Sequence, residues 1–552
     1  MSSEFIKEKI ELRFATHIPY MVDGEDIHVA KITKTINDGK AIPELKIIKD
    51  YKVPYWITKE RYRNHKQKKS WEEETRLLKR ESTGVELVQS IGRSLRMRRA
   101  KSLRELFISP YLYGANISTT TLLKHEYNKD IQSTPYTVAA YDIETDTTTD
   151  TILMASVAML LPDDDRYEGR IYLSVVENFV ETDTRGLISR IKSKILDLLS
   201  PKMDITKWDV DIEVVKNEMD VVRTSFNKAH EWKPDFLAIW NMSFDVVEVM
   251  KCCDRWGVDY RDIFCDPLLE NKYKYFKWKP GQTLKITTDG DKRPIPYSEQ
   301  WHVVEATASF YIIDAMCVYR RLRMAAPQLP GGYGLDNVLD TELGERKLKI
   351  AEADKYTGLA WHVFMTKNYK DEYIIYNMWD TISMLYLDKK TTDLSMSLPM
   401  FAGYSDFSTF NSSTKVMGSQ IYFYLRNIGM VPGTPDPNAE NDKLLLGLRG
   451  WISTLPATHI VDNGLKVLED YPSGSTNIRA AVFDADAISS YPSDITALNV
   501  SKETCARELI SVDGINREDM KLEGMNLMMG DINASRFVAN TMGLPRFTDI
   551  DF

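Results

Sequence analysis

The chain has 552 residues, of which 43% are hydrophobic, 11% aromatic and 27% charged, and 71 Lys or Arg against 80 Asp or Glu give a net charge of −9. That length exceeds one ordinary core and implies roughly two to four domains, while near-average apolar and charged content excludes wholesale disorder. No uncharged apolar run reaches the roughly 18–20 residues that span a bilayer, and the start, MSSEFIKEKIELRF, lacks the basic-then-apolar layout of a signal peptide. The expectation is a cytoplasmic protein with no membrane partner.

Residues 1–134 read as a mixed α/β N-terminal domain, in which short β-rich stretches alternate with a charged, helical-looking segment from about Trp71 to Leu106. Two basic runs lie here: six Lys or Arg over 59–69 with Tyr62 between them, and Arg93, Arg96, Arg98, Arg99, Lys101 and Arg104 with no acid among them. Each is either a solvated helix face or a phosphate contact. From Pro135 the text YTVAAYDIETDT is an apolar, β-branched run ending in acids, the pattern of a buried strand that delivers carboxylates at its end. Phe236–Trp240 is a second short buried strand, followed by a loop and the helix-like VVEVMKCCDRW. A polar, hairpin-rich stretch over about 270–310 precedes another apolar strand at Ser309–Asp314, and a helical region then reaches DEYIIYNMWDTISMLYLDKK. Strands alternating with helices imply an α/β fold, a central sheet covered by helices. GMVPGTPDPNAEN at 430–442 is a Pro/Gly/Asn-rich connector and a candidate boundary, beyond which AAVFDADAISSYPS is one more strand ending in acids.

The five cysteines include one adjacent pair and no CxxC, which suits reduced thiols, and the eight scattered histidines form no zinc pattern. A metal site is therefore expected to be built from carboxylates. Asp142 and Glu144 are two residues apart, so on a strand both side chains share a face. Two carboxylates held together repel unless a cation lies between them, and hard oxygen ligands select Mg²⁺ or Mn²⁺. Alone, such a pair is common in a chain this rich in acids.

Two further signatures follow in order. DIET at 142–145, WNMSFD at 240–245 and YNMWD at 376–380 together resemble the three exonuclease motifs of family B DNA polymerases, in the family's order and spacing. YIIDAMCVYRRL and then YGLDNVL at 333–339 are similar to the strand and helix start that precede the family's third motif. The resemblance implies a ribonuclease H-like 3′→5′ exonuclease domain over 135–396. In it Asp142, Glu144 and Asp380 would hold one of two metal ions and Asp142 with Asp245 the other, acting on single-stranded 3′ ends of DNA. One ion lowers the pKa of the attacking water and the other stabilises the leaving oxygen. Tyr376 lies one helical turn before Asp380, on the same face, where its hydroxyl can orient the nucleophile. Asn241 either binds the terminal nucleotide or caps the following helix, and Phe244 either stacks on a base or packs in the core.

DADAISSYPS at 484–493 resembles the family's first polymerase motif, with Ser490 where Leu is usual. The resemblance makes Asp486 a catalytic metal ligand, Ser489 and Ser490 neighbours of an incoming dNTP, and Tyr491 the residue that excludes a ribose 2′-OH. Neither the second acidic polymerase motif nor the triphosphate-binding helix is found. MMGDINAS at 528–535 offers Asp531 but Asn533 in place of the second acid, and lies too close behind Asp486 to leave room for fingers helices. The expected organisation is a return to the N-terminal domain and linker over 397–442, a partial palm over 443–500, and the start of fingers or a C-terminal tail over 501–552. It is most like the N-terminal part of a large tailed-phage polymerase, completed on primer–template DNA by a second polypeptide. The closing RFTDIDF is similar to a tail that holds a sliding clamp, or else marks a cut in the fingers. The rival readings are a stand-alone repair exonuclease with a vestigial palm and a non-catalytic nucleic-acid-binding subunit, the latter disfavoured by four intact carboxylates.

Overall fold

The computed structural model describes residues 8–435 apart from 37–40, 67, 132, 163, 165, 181–183 and 287–290, and after them only 528–529 and 532–533. The chain divides into two compact units, Met1–Glu440 and Asn441–Phe552. In the second, Met528–Met529 pairs antiparallel with Ile532–Asn533. Among the described residues no helix is long and apolar enough to cross a membrane.

The first unit is mixed α/β. It opens with a three-stranded antiparallel sheet of Glu8–His17, Ile27–Ile36 and Ala41–Lys49. A second small sheet follows, with Val53–Thr58 between Leu77–Ser82 and Leu112–Tyr113. The α-helices here, among the described residues, are Leu87–Ser94, Leu103–Leu106 and Thr119–Asn128. The helical segment expected from Trp71 is thus corrected: Trp71–Glu73 and Leu77–Ser82 are strands. Pairing of Leu77–Ser82 with the almost wholly buried Val53–Thr58, and of Trp71–Glu73 with Met430–Pro432, overrides the local preference of charged residues for helix.

The central sheet has six strands: β1 (Val138–Thr145), β2 (Ile152–Leu160), β3 (Gly169–Val176), β4 (Trp208–Val215), β5 (Phe236–Ile239) and β6 (Tyr311–Asp314). Their order is β4-β3-β2-β1-β5-β6. β2 runs antiparallel to both of its neighbours, β1 and β3, whereas β5 and β6 run parallel to β1, and β4 runs parallel to β3. The helices are α1 (Thr184–Leu199), α2 (Glu218–Trp232), α3 (Met242–Trp256), α4 (Ala315–Leu322), α5 (Leu335–Leu343), α6 (Leu359–Asn368) and α7 (Lys370–Thr391). β2 is buried along nearly its whole length, which requires cover on both faces, and both α2 and α7 pack against it. α7 is buried from Tyr373 through Leu385, so over that stretch it behaves as a core helix with no solvent-exposed face. Its start is held to α1 by Arg190 on Asp371 and Lys194 on Glu372.

After α7 the chain returns to the N-terminal sheets. Tyr422 and Phe423, on the helix Ser413–Asn427, join the core built on Val53, Tyr55 and Leu87. Met430–Pro432 then pairs with Trp71–Glu73. Gly114 N–H donates to Pro432 O, and a Cβ at Gly114, whose φ is +66°, would lie 2.7 Å from the Trp56 ring.

Candidate metal centre

β1 is central in the sheet because VAAYDIET is apolar up to its acids, and it places Asp142 and Glu144 near its end. α7 is pinned across β2 by Ser156, whose hydroxyl donates to Asn377 O at 3.1 Å and lies 3.2 Å from Thr381 Oγ1. Ser156 is also the cross-strand partner of Asp142. Residues 373, 376, 377 and 380 fall on one helical face, so this single crossing presents four polar side chains to the acids of β1. Asp142, Glu144 and Asp380 each offer a carboxylate oxygen within 4.8 Å of the other two. The three can hold a metal ion.

Asp245 arrives from the first turn of α3. That helix follows β5 through Trp240 and Asn241, and its first N–H, that of Met242, is taken by Asp314 Oδ2 at 2.8 Å. Asp245 Oδ1 accepts the Ile143 N–H at 3.2 Å, which sets the carboxylate against the backbone between Asp142 and Glu144. It lies beside the three-acid cluster and is not one of its mutually close oxygens.

Four acids in a nearly dry place disfavour their own ionisation. Burial, and then the charges of Asp245, Asp380 and Glu144, push the Asp142 carboxyl well above its ordinary range. Burial likewise raises Asp245 and Asp380. Burial lifts Glu144 to about 7 even though the Tyr373 hydroxyl, which donates to Glu144 Oε2, works against the rise. Asn377 Nδ2 donates to Asp142 Oδ2 at 2.6 Å. Lys347 brings the one ammonium bonded to the cluster among the described residues, donating to Asp380 Oδ2 at 2.5 Å and to Tyr376 Oη at 2.9 Å. One cation against four carboxylates leaves a deficit of positive charge. Asp380 Oδ1, buried and without a partner among the described residues, shows where it falls. An all-oxygen donor set of this kind suits a hard divalent ion.

The predicted residues Asp142, Glu144, Asp245, Tyr376 and Asp380 therefore come together. Asn241 stands at the N-cap position of α3 in a left-handed conformation, with φ 67°, but its side chain does not cap the helix; its Oδ1 accepts from Ser243 Oγ at 2.9 Å. It lines an open cleft with Trp240, Tyr297, Met316, Leu329 and Tyr333. Phe244 is 45% exposed, which corrects the core alternative: at the start of α3 its ring faces away from the packed side. Asp486, Ser489, Ser490 and Tyr491 lie outside the described residues, as does the terminal RFTDIDF. Of the basic runs, Arg93, Arg96, Arg98, Arg99, Lys101 and Arg104 are all exposed, whereas Lys68 and Lys69 are engaged with Phe107 O and Glu72.

Sequence reasoning missed Lys347, Tyr373, Asn377, His362 and Asp314. His362 Nδ1 lies 2.8 Å from Tyr373 Oη and 3.6 Å from Glu144 Oε2. Tyr373 and Asn377 could have been found from helical spacing, since they lie seven and three residues before Asp380. Asp314 ends a strand before a helix, the signature of an N-cap, and its Oδ1 does accept the Cys317 N–H at 2.9 Å. No local pattern marks Lys347 or His362. Comparison with protein-family models and with curated proteins gave no match to this chain.

Proposed function

We propose that the chain is the N-terminal part of a family B DNA-directed DNA polymerase, carrying a metal-dependent 3′→5′ exonuclease over residues 135–396. The observation that supports this best is the convergence of Asp142, Glu144 and Asp380 into one ion-sized cluster, with Asp245 against its edge, from three motifs far apart in the chain. The strand order, three antiparallel strands with two more parallel to the first, supports a ribonuclease H-like domain as the scaffold.

Asp142, Glu144 and Asp380 would hold one Mg²⁺ or Mn²⁺ ion, and Asp142 with Asp245 a second. Bound there, such ions supply an activated water and charge stabilisation for the leaving 3′ oxygen. The protein's own part is orientation. Tyr373 and Asn377 fix the free oxygens of Glu144 and Asp142, so neither carboxylate can swing out of the cluster. Lys347 holds the Tyr376 hydroxyl beside Asp380 and places positive charge where a phosphodiester would bring negative charge. Phe244 offers an exposed ring at the start of the same helix as Asp245, suited to stacking on an unpaired base, and Asn241 lines the adjoining cleft.

In this reading the region holding Asp486, Ser489, Ser490 and Tyr491 is the beginning of a palm that takes dNTP and primer–template only together with the second acidic motif and the triphosphate-binding helix, which these 552 residues do not contain. The test is a combined degradation and primer-extension assay on 5′-labelled DNA, with and without a candidate second subunit. The chain alone should shorten single strands from the 3′ end in Mg²⁺ and should not extend a primer. Extension by this chain alone would contradict the split-polymerase part, and inertness toward 3′ ends in Mg²⁺ and Mn²⁺ would contradict the nuclease part.

A further inference from the structure

A second cluster of metal-ligating side chains lies in the N-terminal sheet. Strands Glu8–His17 and Ile27–Ile36 pair His17 directly with His28 across the antiparallel ladder, which puts both side chains on one face. Their imidazoles stack with centroids 4.4 Å apart and planes 20° from parallel. Asp26 Oδ1 lies 2.7 Å from His17 Nε2, and one ligand atom from each of the three residues is within 4.8 Å of the other two. Asp26 and His28 are fully buried, whereas the His17 side chain is 23% exposed.

We infer that His17, Asp26 and His28 hold a zinc-class divalent ion, in a site chemically distinct from the carboxylate cluster. Two imidazoles with one carboxylate are a nitrogen-rich set that zinc accepts, whereas the acids around Asp142 offer only hard oxygens. Three observations support the assignment. The other Asp26 oxygen is already fixed, Oδ2 accepting the Gly84 N–H at 2.7 Å, which is the outer support that ligating carboxylates need. His28 Nε2 is 2.8 Å from Thr119 Oγ1 while Nδ1, buried, has no partner among the described residues. Gly84 leaves room for the ligand, because a Cβ there would meet His17 Cε1 at 3.1 Å and Nε2 at 3.2 Å.

Ligand atoms on a tetrahedral zinc ion stand about 3.3 Å apart, so the His17–Asp26 contact must widen and the stacked rings must tilt for their lone pairs to converge. His17, with its solvent-facing side, is the ligand free to make that movement. It also provides the access route for the ion and for a water as the remaining ligand. The ion's place is structural. It would tie the end of the first hairpin to the backbone at Gly84 and, through Thr119, to the helix Thr119–Asn128, and Asp26 is further bonded through its N–H to Asp50 Oδ1 at 3.0 Å.

The test uses the full chain carrying Asp142→Ala, Glu144→Ala and Asp380→Ala, so that the acidic cluster cannot compete. After chelation the protein is titrated with Zn²⁺ and, separately, with Co²⁺ as a spectroscopic probe. The inference expects one equivalent of tightly held Zn²⁺ after gel filtration, a rise in Tm, and the intense visible bands of tetrahedral Co²⁺. His17→Gln, at a partly exposed position that tolerates replacement, and Asp26→Asn, which can still accept the Gly84 N–H, should each abolish stoichiometric binding while circular dichroism stays that of the parent. Absence of stoichiometric zinc in the parent, or zinc retained in both replacements, overturns it.

Discussion

Replacing Lys347 by methionine keeps an unbranched side chain of similar length and removes the ammonium that sits 2.5 Å from Asp380 Oδ2 and 2.9 Å from Tyr376 Oη. Asp380 is 2% exposed and its Oδ1 has no partner among the described residues, so the variant leaves a buried carboxylate with no counter-charge bonded to it among those residues. At 2.5 Å and an effective dielectric of about 20 the lost attraction is on the order of 7 kcal/mol, much of which the ammonium spends on its own desolvation. Breaking one side of a buried pair costs about 3–5 kcal/mol. Because 28% of the Lys347 side chain reaches solvent, the lower end applies, about 3 kcal/mol. Thermal unfolding in EDTA should therefore show a Tm several degrees below wild type. Saturating Mn²⁺ should recover most of the difference, since an ion on Asp142, Glu144 and Asp380 replaces the missing charge. A variant as stable as wild type in EDTA, or one whose deficit is the same with and without metal, would refute the view that Lys347 neutralises a site built for cations.

Other consequences can be checked separately. Burial pushes the Glu144 carboxyl in the folded chain up to about 7, above its ordinary 4.5, so its contribution to stability is full below about pH 4.5 and is lost as pH rises through 7, on the order of 3 kcal/mol. The EDTA-treated protein should thus weaken between pH 5 and 8 while the Tm gain from Mn²⁺ grows over the same range; an opposite trend would contradict the assignment. Tyr373→Phe removes the hydroxyl that orients Glu144 and bonds His362, and should slow nuclease turnover by about tenfold or more at saturating metal, while the buried Glu144 oxygen left without its donor costs about 1–3 kcal/mol of stability in EDTA. Gly114→Ala forces a Cβ against the Trp56 ring at a positive φ, and should lower stability by about 1–3 kcal/mol in urea unfolding followed by tryptophan fluorescence, with nuclease activity per folded molecule unchanged.

The sequence displayed those parts of the site that sit on periodic, strongly apolar elements. β1 and β5 were legible because buried strands are continuous apolar runs, and the acids ending them stand out against that background. Asp380 and Tyr376 were legible because one helical turn separates them on a single long helix. The strands Trp71–Glu73 and Leu77–Ser82 were not: their residues are charged, and only pairing with Val53–Thr58 and Met430–Pro432 makes them strands. Lys347 escaped for a related reason, since its ammonium meets Asp380 only through the packing of α5 and α7 that follows from the whole fold. Nor could spacing alone join His17, Asp26 and His28, whose proximity depends on the register of one hairpin.

The central claim, that Asp142 and Glu144 belong to a metal-dependent 3′→5′ nuclease, is tested most directly by comparing the full chain with its Asp142→Ala/Glu144→Ala variant on 5′-labelled single-stranded DNA in Mg²⁺. Stepwise shortening by the wild type that stops in EDTA and is absent from the variant is the predicted result; equal degradation by both proteins would contradict it.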